Sequence, residues 1–199
     1  MNLSSTLNGS LNGSIDCPGD KSISQRALMI CSLINESIQI SGFLNAEDPL
    51  STMNALNDMG AEIILHQNNI IQMHQKPTRF IKPSKPLDLG NSGTGLRLML
   101  GMTAGLGIQT NFVGDSSLSK RPMNRVLNPL REMGAEINSE DGMLPITLKE
   151  SLIKDNFIYE LPVASAQVKS CILLAGLASR KSVTVIEPVQ TRDHTERML

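Results

Sequence analysis

The sequence predicts an α/β protein made of three copies of a unit that reads strand, helix, strand, helix, strand, strand. Residues 56–63, LNDMGAEI, return as LREMGAEI at 130–137, an offset of 74. Apolar helices begin near Arg26, Arg97 and Val168, at offsets of 71. Because repeats at a fixed spacing mark a repeated structural unit, we expect three units in a pseudo-threefold arrangement. The helices have almost no polar face, so we expect them at the centre with the sheets outside.

The first unit opens with a helix start that suits an anion. A Pro-Gly turn precedes Asp20, which is a good N-cap, and the apolar residues that follow have helical spacing. Lys21, Ser22 and Arg26 then lie near the free backbone N–H groups of the first turns, where the helix dipole favours negative charge. Taken alone, these residues fit either an anion site or an ordinary capped and solvated helix.

Strand candidates lie between the predicted helices. A Met-Gly-Ala sequence in each of the first two units predicts the end of a helix followed by a strand. Pro49 and Pro122 precede those helix ends, and each is expected at a first helical position. The strand candidates are residues 37–41, 62–65, 70–74, 109–113, 136–137, 146–148, 157–161 and 182–186.

The second and third units also open with sequences suited to a ligand. Residues 89–97, LGNSGTGLR, hold three glycines, which would let a ligand approach the backbone N–H groups closely. The motif is neither a P-loop nor a dinucleotide fingerprint. In residues 162–169, PVASAQVK, Ser165 is a possible N-cap and Gln167 offers an amide. Each sequence also fits a plain turn or cap, but three equivalent helix starts on one face would concentrate positive potential there.

A second repeated loop carries an arginine in each of the last two units. Arg121 lies in Ser-Lys-Arg-Pro of the second unit, and Arg192 lies at the equivalent place in the third. Both are expected beside the face of helix starts, as ligand contacts or as ordinary surface arginines. By the same offset the third unit has only begun its second helix at Leu199, so the sequence predicts a truncated third unit.

Composition argues against several classes of function. A net charge of -1 and 3% aromatic residues count against a nucleic-acid surface. The longest apolar run is far shorter than the roughly 20 residues of a membrane span. The polar N-terminus does not resemble a secretory signal, and no metal cluster can be assembled from the sequence. The three cysteines lack CxxC or metal spacing and favour reduced thiols in a cytoplasmic protein.

Five motifs follow one another along the chain. They are PGDKSISQR at 18–26, LGNSGT at 89–94, KRPM at 120–123, ASAQVKS at 164–170 and RDHTERML at 192–199. In this order they resemble the N-terminal half of the 5-enolpyruvylshikimate-3-phosphate synthase family. The resemblance covers the chain after about residue 10. It implies the inside-out α/β fold of enolpyruvyl transferases, with two domains of three βαβαββ units each. It also implies transfer of an enolpyruvyl group from phosphoenolpyruvate to the 5-hydroxyl of shikimate 3-phosphate, without metal or cofactor.

The resemblance further implies a role for each matching residue. Lys21 is expected to touch both substrates and to act in catalysis. The expected contacts of shikimate 3-phosphate are Lys21, Ser22, Arg26, Ser165, Ala166 through its backbone N–H, Gln167 and Arg192. The expected contacts of phosphoenolpyruvate are Lys21, Gly93, Arg121 and Gln167.

The family pattern also divides the chain. Residues 16–199 resemble the N-terminal domain with its third repeat truncated, and residues 1–15 are expected to belong with a second, C-terminal domain missing from this sequence. Because that domain carries the general base of the family, we expect these residues to bind small anionic substrates without turnover. Alternatives are a UDP-N-acetylglucosamine enolpyruvyl transferase and a non-catalytic βαβαββ binding module. Ser22 counts against the UDP-N-acetylglucosamine enzyme, which normally has asparagine at this position.

Overall fold

The computed structural model describes residues 3–6, 8–10, 12–74 and 80–199. The first unit contains α1 (Lys21–Ser32), β1 (Ile38–Ile40), α2 (Glu47–Asp58), β2 (Ile63–His66) and β3 (Ile70–Met73). The second contains β4 (Leu87–Asp88), α3 (Gly93–Leu106), β5 (Thr110–Val113), α4 (Asn124–Glu132), β6 (Ile137–Ser139) and β7 (Ile146–Leu148). The third contains β8 (Phe157–Glu160), α5 (Ala166–Ser179), β9 (Val183–Ile186) and α6 (His194–Met198).

The predicted order of elements is confirmed in the second unit, which contains a strand absent from the strand candidates, whereas the described part of the first unit lacks the predicted opening strand. Each of the eight strand candidates overlaps a strand, and the second unit has the complete βαβαββ order. The additional strand, β4, has only two residues, which is too short to produce a periodic pattern in the sequence. No strand precedes α1 in the described part of the first unit, where Ile15 is exposed.

Each unit keeps its own sheet. The first sheet is antiparallel with the order β1-β3-β2, and Ile71 pairs with Ile40 on one side and Leu65 on the other. The second has the order β4-β5-β7-β6, with β4 and β5 parallel. The third is the parallel pair β8-β9.

The buried helices lie at the centre of the fold, as predicted. Helices α3 and α5 pack so closely that a Cβ atom on Gly101 would overlap the carbonyl oxygen of Cys171, and one on Gly105 would overlap that of Ala175. Backbones come this close only where the facing residue has no side chain. The inward side chains of α1, α3 and α5 form one core with the sheets.

The repeated Met-Gly-Ala sequence forms the same turn twice. Gly60 and Gly134 have φ angles of 95° and 107°, a conformation that favours glycine. In each copy the next N–H donates to a carbonyl five residues earlier, from Ala61 to Leu56 at 3.0 Å and from Ala135 to Leu130 at 2.9 Å. This pattern ends a helix and satisfies its last carbonyls.

The predicted position of the two prolines is wrong. Pro49 is the third residue of α2 and not the first. Proline is tolerated there because the first four N–H groups of a helix make no hydrogen bond within the helix. Pro122 precedes Met123, the N-cap of α4. The Met123 N–H donates to the carbonyl of Gly142 at 2.8 Å, so α4 begins only at Asn124.

The N-terminal segment 1–15 contributes no helix or strand among its described residues, all of which are exposed. Residues 1, 2, 7 and 11 lie outside the described part of the chain. Assignment of this segment to a second domain stays a prediction. None of the described helices has both the length and the apolar character needed to span a bilayer.

Candidate anion-binding site

The start of α1 is capped as the sequence predicts. The Asp20 carboxylate accepts a hydrogen bond from the Ile23 N–H at 2.8 Å. The next residue, Lys21, has a side chain that is 50% exposed, and its Nζ lies 2.8 Å from Oδ2 of Asp48 in α2. This ion pair was not predicted from the sequence, because Lys21 and Asp48 lie 27 residues apart in the chain. The ion pair holds the Lys21 ammonium between the starts of α1 and α2, where a ligand can reach it.

A fully buried glutamine joins α1 to α3. The side-chain nitrogen of Gln25 lies 2.6 Å from Oγ of Ser92 and 3.0 Å from Oγ1 of Thr52. Ser92 is the N-cap of α3 and accepts from the Gly95 N–H at 3.1 Å. This junction fixes the start of α3 against that of α1. Gln25 and Ser92 lie in two of the quoted motifs, but their contact was not predicted.

Two guanidinium groups flank Gly93, the first residue of α3. A Cβ atom on Gly93 would lie 2.9 Å from Nη1 of Arg97 and 3.2 Å from Nη1 of Arg121. Glycine therefore leaves open the space between them. Burial lowers the pKa of Arg97, and the charges of Arg121 and Arg125 lower it further. Since these cations repel one another, an anion between them would relieve the repulsion.

Arg121 is held over the glycine-rich start by neutral partners. Its Nη2 donates to Oδ1 of Asn91 at 2.5 Å and to Oγ of Ser117 at 3.1 Å. Neither partner neutralises the guanidinium charge. Arg97 and Asn91 were not among the residues predicted for the site. Both lie within the quoted residues 89–97, but the contacts of their side chains depend on the folded chain.

The start of α5 meets the start of α3. Ser165 is the N-cap of α5, and its Oγ accepts from the Val168 N–H at 3.4 Å. Ala166 is the first helical residue, so its N–H belongs to the first turn. The Gln167 amide donates to Oγ1 of Thr94 in the first turn of α3 at 3.0 Å.

Arg26 is more deeply buried than its predicted role suggests, with 4% of its surface exposed. It donates from Nε to Thr195 Oγ1 at 2.8 Å, from Nη2 to Ser170 Oγ at 2.9 Å and from Nη1 to the Ser22 carbonyl at 3.0 Å. Three of its five N–H groups are thus used within the protein, in contacts that tie α1 to α5 and α6. Contact of Arg26 with a ligand carboxylate stays a prediction.

The third unit adds an exposed cation. Arg192 is exposed in the loop before α6, and its charge helps to lower the pKa of Arg26, although burial of Arg26 is the larger cause. The two guanidinium groups therefore lie within each other's electrostatic field.

Side-chain hydrogen bonds link the three helix starts pairwise. Gln25 connects α1 to α3, Gln167 connects α5 to α3, and Arg26 connects α1 to α5. The predicted convergence of the three helix starts is confirmed. Lys21 lies at the start of α1 and Arg121 beside the start of α3, so the linked helix starts bring free N–H groups and fixed cations close enough to hold a polyanion.

Fold and site together define an α/β repeat protein of the enolpyruvyl transferase type. The model of one family, described as EPSP synthase (3-phosphoshikimate 1-carboxyvinyltransferase), matches residues 6–199. The chain belongs to this family.

Similar proteins agree with that assignment. A 3-phosphoshikimate 1-carboxyvinyltransferase from Ruthia magnifica is 50% identical over 190 residues, which are 96% of this chain and 44% of that protein. One from Hydrogenovibrio crunogenus is 48% identical over 193 residues, or 96% of this chain and 43% of that protein. The structure of EPSP synthase from Acinetobacter baumannii superposes with a TM-score of 0.87 at 43% identity, over 94% of this chain and 43% of the other. The chain thus spans less than half the length of these relatives.

Proposed function

We propose that the chain forms the shikimate 3-phosphate side of an active site that transfers an enolpyruvyl group from phosphoenolpyruvate to the 5-hydroxyl of shikimate 3-phosphate, with release of phosphate. The observation that carries this proposal is the face of three linked helix starts with Lys21 and Arg121 beside them. Both substrates are polyanions, and free backbone N–H groups with fixed cations are the groups that bind such ligands. The names of the relatives support the same reaction.

The proposal gives each residue a physical task. Lys21, 50% exposed beside α1, is placed to contact both substrates and to stabilise charge during the transfer. Gly93 leaves room for phosphoenolpyruvate between Arg97 and Arg121. The remaining proposed contacts with shikimate 3-phosphate are Ser22, Arg26, Ser165, the Ala166 N–H, Gln167 and Arg192, and Gln167 is proposed to contact phosphoenolpyruvate as well.

Turnover needs a general base, and we assign this role to none of the 199 residues. More than half the length of the relatives has no counterpart in the 199 residues. We propose that the general base and further phosphoenolpyruvate contacts come from a second domain, since a base must lie within hydrogen-bond reach of the proton it removes. The 199 residues are then expected to bind shikimate 3-phosphate and not to turn over. A cytoplasmic location, favoured by three free cysteines, is part of the proposal.

Calorimetric titration with shikimate 3-phosphate tests the proposal. The Lys21→Ala variant is expected to bind about 10- to 100-fold more weakly, the usual effect of losing a hydrogen bond to a charged group. Lys149→Ala is a matched control, because Lys149 is similarly exposed and also pairs with a carboxylate, that of Glu136. Equal affinity of both variants, or binding no tighter than that of inorganic phosphate, would contradict the proposal. Release of phosphate from both substrates by the 199 residues alone would contradict the absence of turnover.

A further inference from the structure

A buried ammonium lies behind the site, on the same helix as Gln167. Lys169 is 4% exposed, yet its Nζ lies 2.7 Å from Oε1 of Glu187 and 2.5 Å from Oε1 of Glu196. A buried charge is costly unless it is paired, and here one cation has two carboxylate partners. Glu187 follows β9 and Glu196 lies in α6, so one side chain of α5 fastens two separate parts of the third unit.

The first of these carboxylates also fixes the residue before Arg192. Oε2 of Glu187 accepts a hydrogen bond from the Thr191 hydroxyl at 2.7 Å, and Oε1 accepts from the Thr191 N–H at 3.3 Å. The loop from Glu187 to Asp193 contains no helix or strand. Its path is therefore set by such side-chain contacts, and Thr191 is the contact nearest to Arg192.

The other end of the loop is fastened as well. The Glu196 carboxylate forms an ion pair with the same Lys169 ammonium. The Thr195 hydroxyl donates a hydrogen bond at 2.7 Å to Oγ of Ser170, the residue of α5 that follows Lys169. Arg192 thus lies between two anchored ends, both attached to the helix whose start carries Ser165 and Gln167. Burial alone would lower the pKa of Lys169, but its hydrogen bonds to the two glutamates outweigh burial and raise it.

We propose that Lys169 and Glu187 are positioning residues that hold Arg192, through Thr191, over the start of α5 for contact with shikimate 3-phosphate. This inference rests on the proposed function of Arg192. Ordering a flexible arginine at the moment of binding costs conformational entropy, and a loop that is already fastened avoids part of that cost. Loss of the Thr191 hydroxyl bond should therefore weaken binding even though Thr191 itself need not touch the ligand.

The experiment compares Thr191→Val with Thr191→Ser in the whole chain. Valine keeps the shape and removes the hydroxyl, whereas serine keeps the hydroxyl. We expect Thr191→Val to weaken binding of shikimate 3-phosphate about fivefold, as for one lost hydrogen bond, and Thr191→Ser to bind as the unmutated chain does. Thr184→Val is the matched control, because Thr184 is exposed on β9.

Two further measurements separate positioning from a general loss of structure. In an Arg192→Ala background, Thr191→Val should have no effect on affinity, because the residue through which it acts is gone. Without ligand, trypsin should cleave after Arg192 faster in Thr191→Val than in Thr191→Ser.

Unchanged cleavage, or an equal loss of affinity in both backgrounds, would overturn the inference. If the unmutated chain does not bind shikimate 3-phosphate, or Arg192→Ala binds normally, the proposed function of Arg192 fails. The positioning role then fails with it, even if the cleavage rates show that Thr191 fastens the loop.

Discussion

Two alanine substitutions in helix α3 should differ sharply in their effect on stability. Both replace glycine, at Gly93 in the first turn and at Gly101 in the middle. A methyl group at Gly101 would overlap the backbone carbonyl of Cys171, which cannot rotate away. A methyl group at Gly93 would meet the ends of the Arg97 and Arg121 side chains, which can move.

The sizes of the two effects follow from these neighbours. Forcing an extra methyl into a packed core costs about 1–3 kcal/mol, and a rigid backbone neighbour favours the upper end. Replacing a glycine inside a helix by alanine returns about 1 kcal/mol. Gly101→Ala should therefore lower the free energy of unfolding by about 2 kcal/mol. Gly93→Ala should change it by no more than about 0.5 kcal/mol, because the cost of moving two arginine side-chain ends offsets the gain from replacing a helical glycine.

Thermal and urea unfolding measure both variants directly. A loss of about 2 kcal/mol in a chain of this size corresponds to a fall in Tm of about 4–8 °C for Gly101→Ala. Gly93→Ala should keep the Tm of the unmutated chain while its affinity for anions falls, because the methyl group occupies the space between the guanidinium groups. A Gly101→Ala variant as stable as the unmutated chain, or a Gly93→Ala variant equally destabilised, would contradict the packing described for α3.

Two further predictions concern titratable side chains. Lys169 donates a hydrogen bond to Glu187 and lowers the pKa of this carboxyl below its ordinary value of 4.5. The ionised carboxylate therefore stabilises the fold above pH 4.5, and this contribution is lost as the pH falls through the lowered pKa. Urea unfolding between pH 5 and 3 should show a smaller loss of stability for Glu187→Gln than for the unmutated chain, and parallel curves would contradict this. A thiol reagent should modify exposed Cys17 first. Cys31, with its pKa raised by burial, should react slowly, and buried Cys171 only after unfolding. Three equally fast thiols would argue against this packing.

Local sequence patterns were sufficient to predict most of the fold. The repeats at 56–63 and 130–137 predicted two matching helix ends, and the structure has both. The strand β4 was missed because two residues cannot show alternation. Pro49 and Pro122 were misplaced because proline is tolerated anywhere in the first turn or before it, so it marks the region of a helix start and not a single position.

The site could be predicted only in part. The start of a helix is set by neighbouring residues, so the helix starts of the site could be predicted from N-cap residues such as Asp20. Arg26 was predicted as a ligand contact, but its burial depends on Ser170 and Thr195, far along the chain. The junction at Gln25 likewise depends on distant hydroxyl groups. Such contacts are set by tertiary packing, which no single stretch of sequence encodes.

Amide hydrogen exchange with and without shikimate 3-phosphate would show whether the helix starts bind an anion. The first-turn N–H groups of a helix lack intrahelical partners, so a bound anion should slow their exchange. Exchange should slow at residues 21–22 and 166–167, and at Thr94 as well when phosphoenolpyruvate is added, because the other first-turn N–H groups already donate to caps or carbonyls. The first two residues of α4, 124–125, serve as the internal control and should not change. Slower exchange elsewhere, with these three helix starts unaffected, would contradict the account.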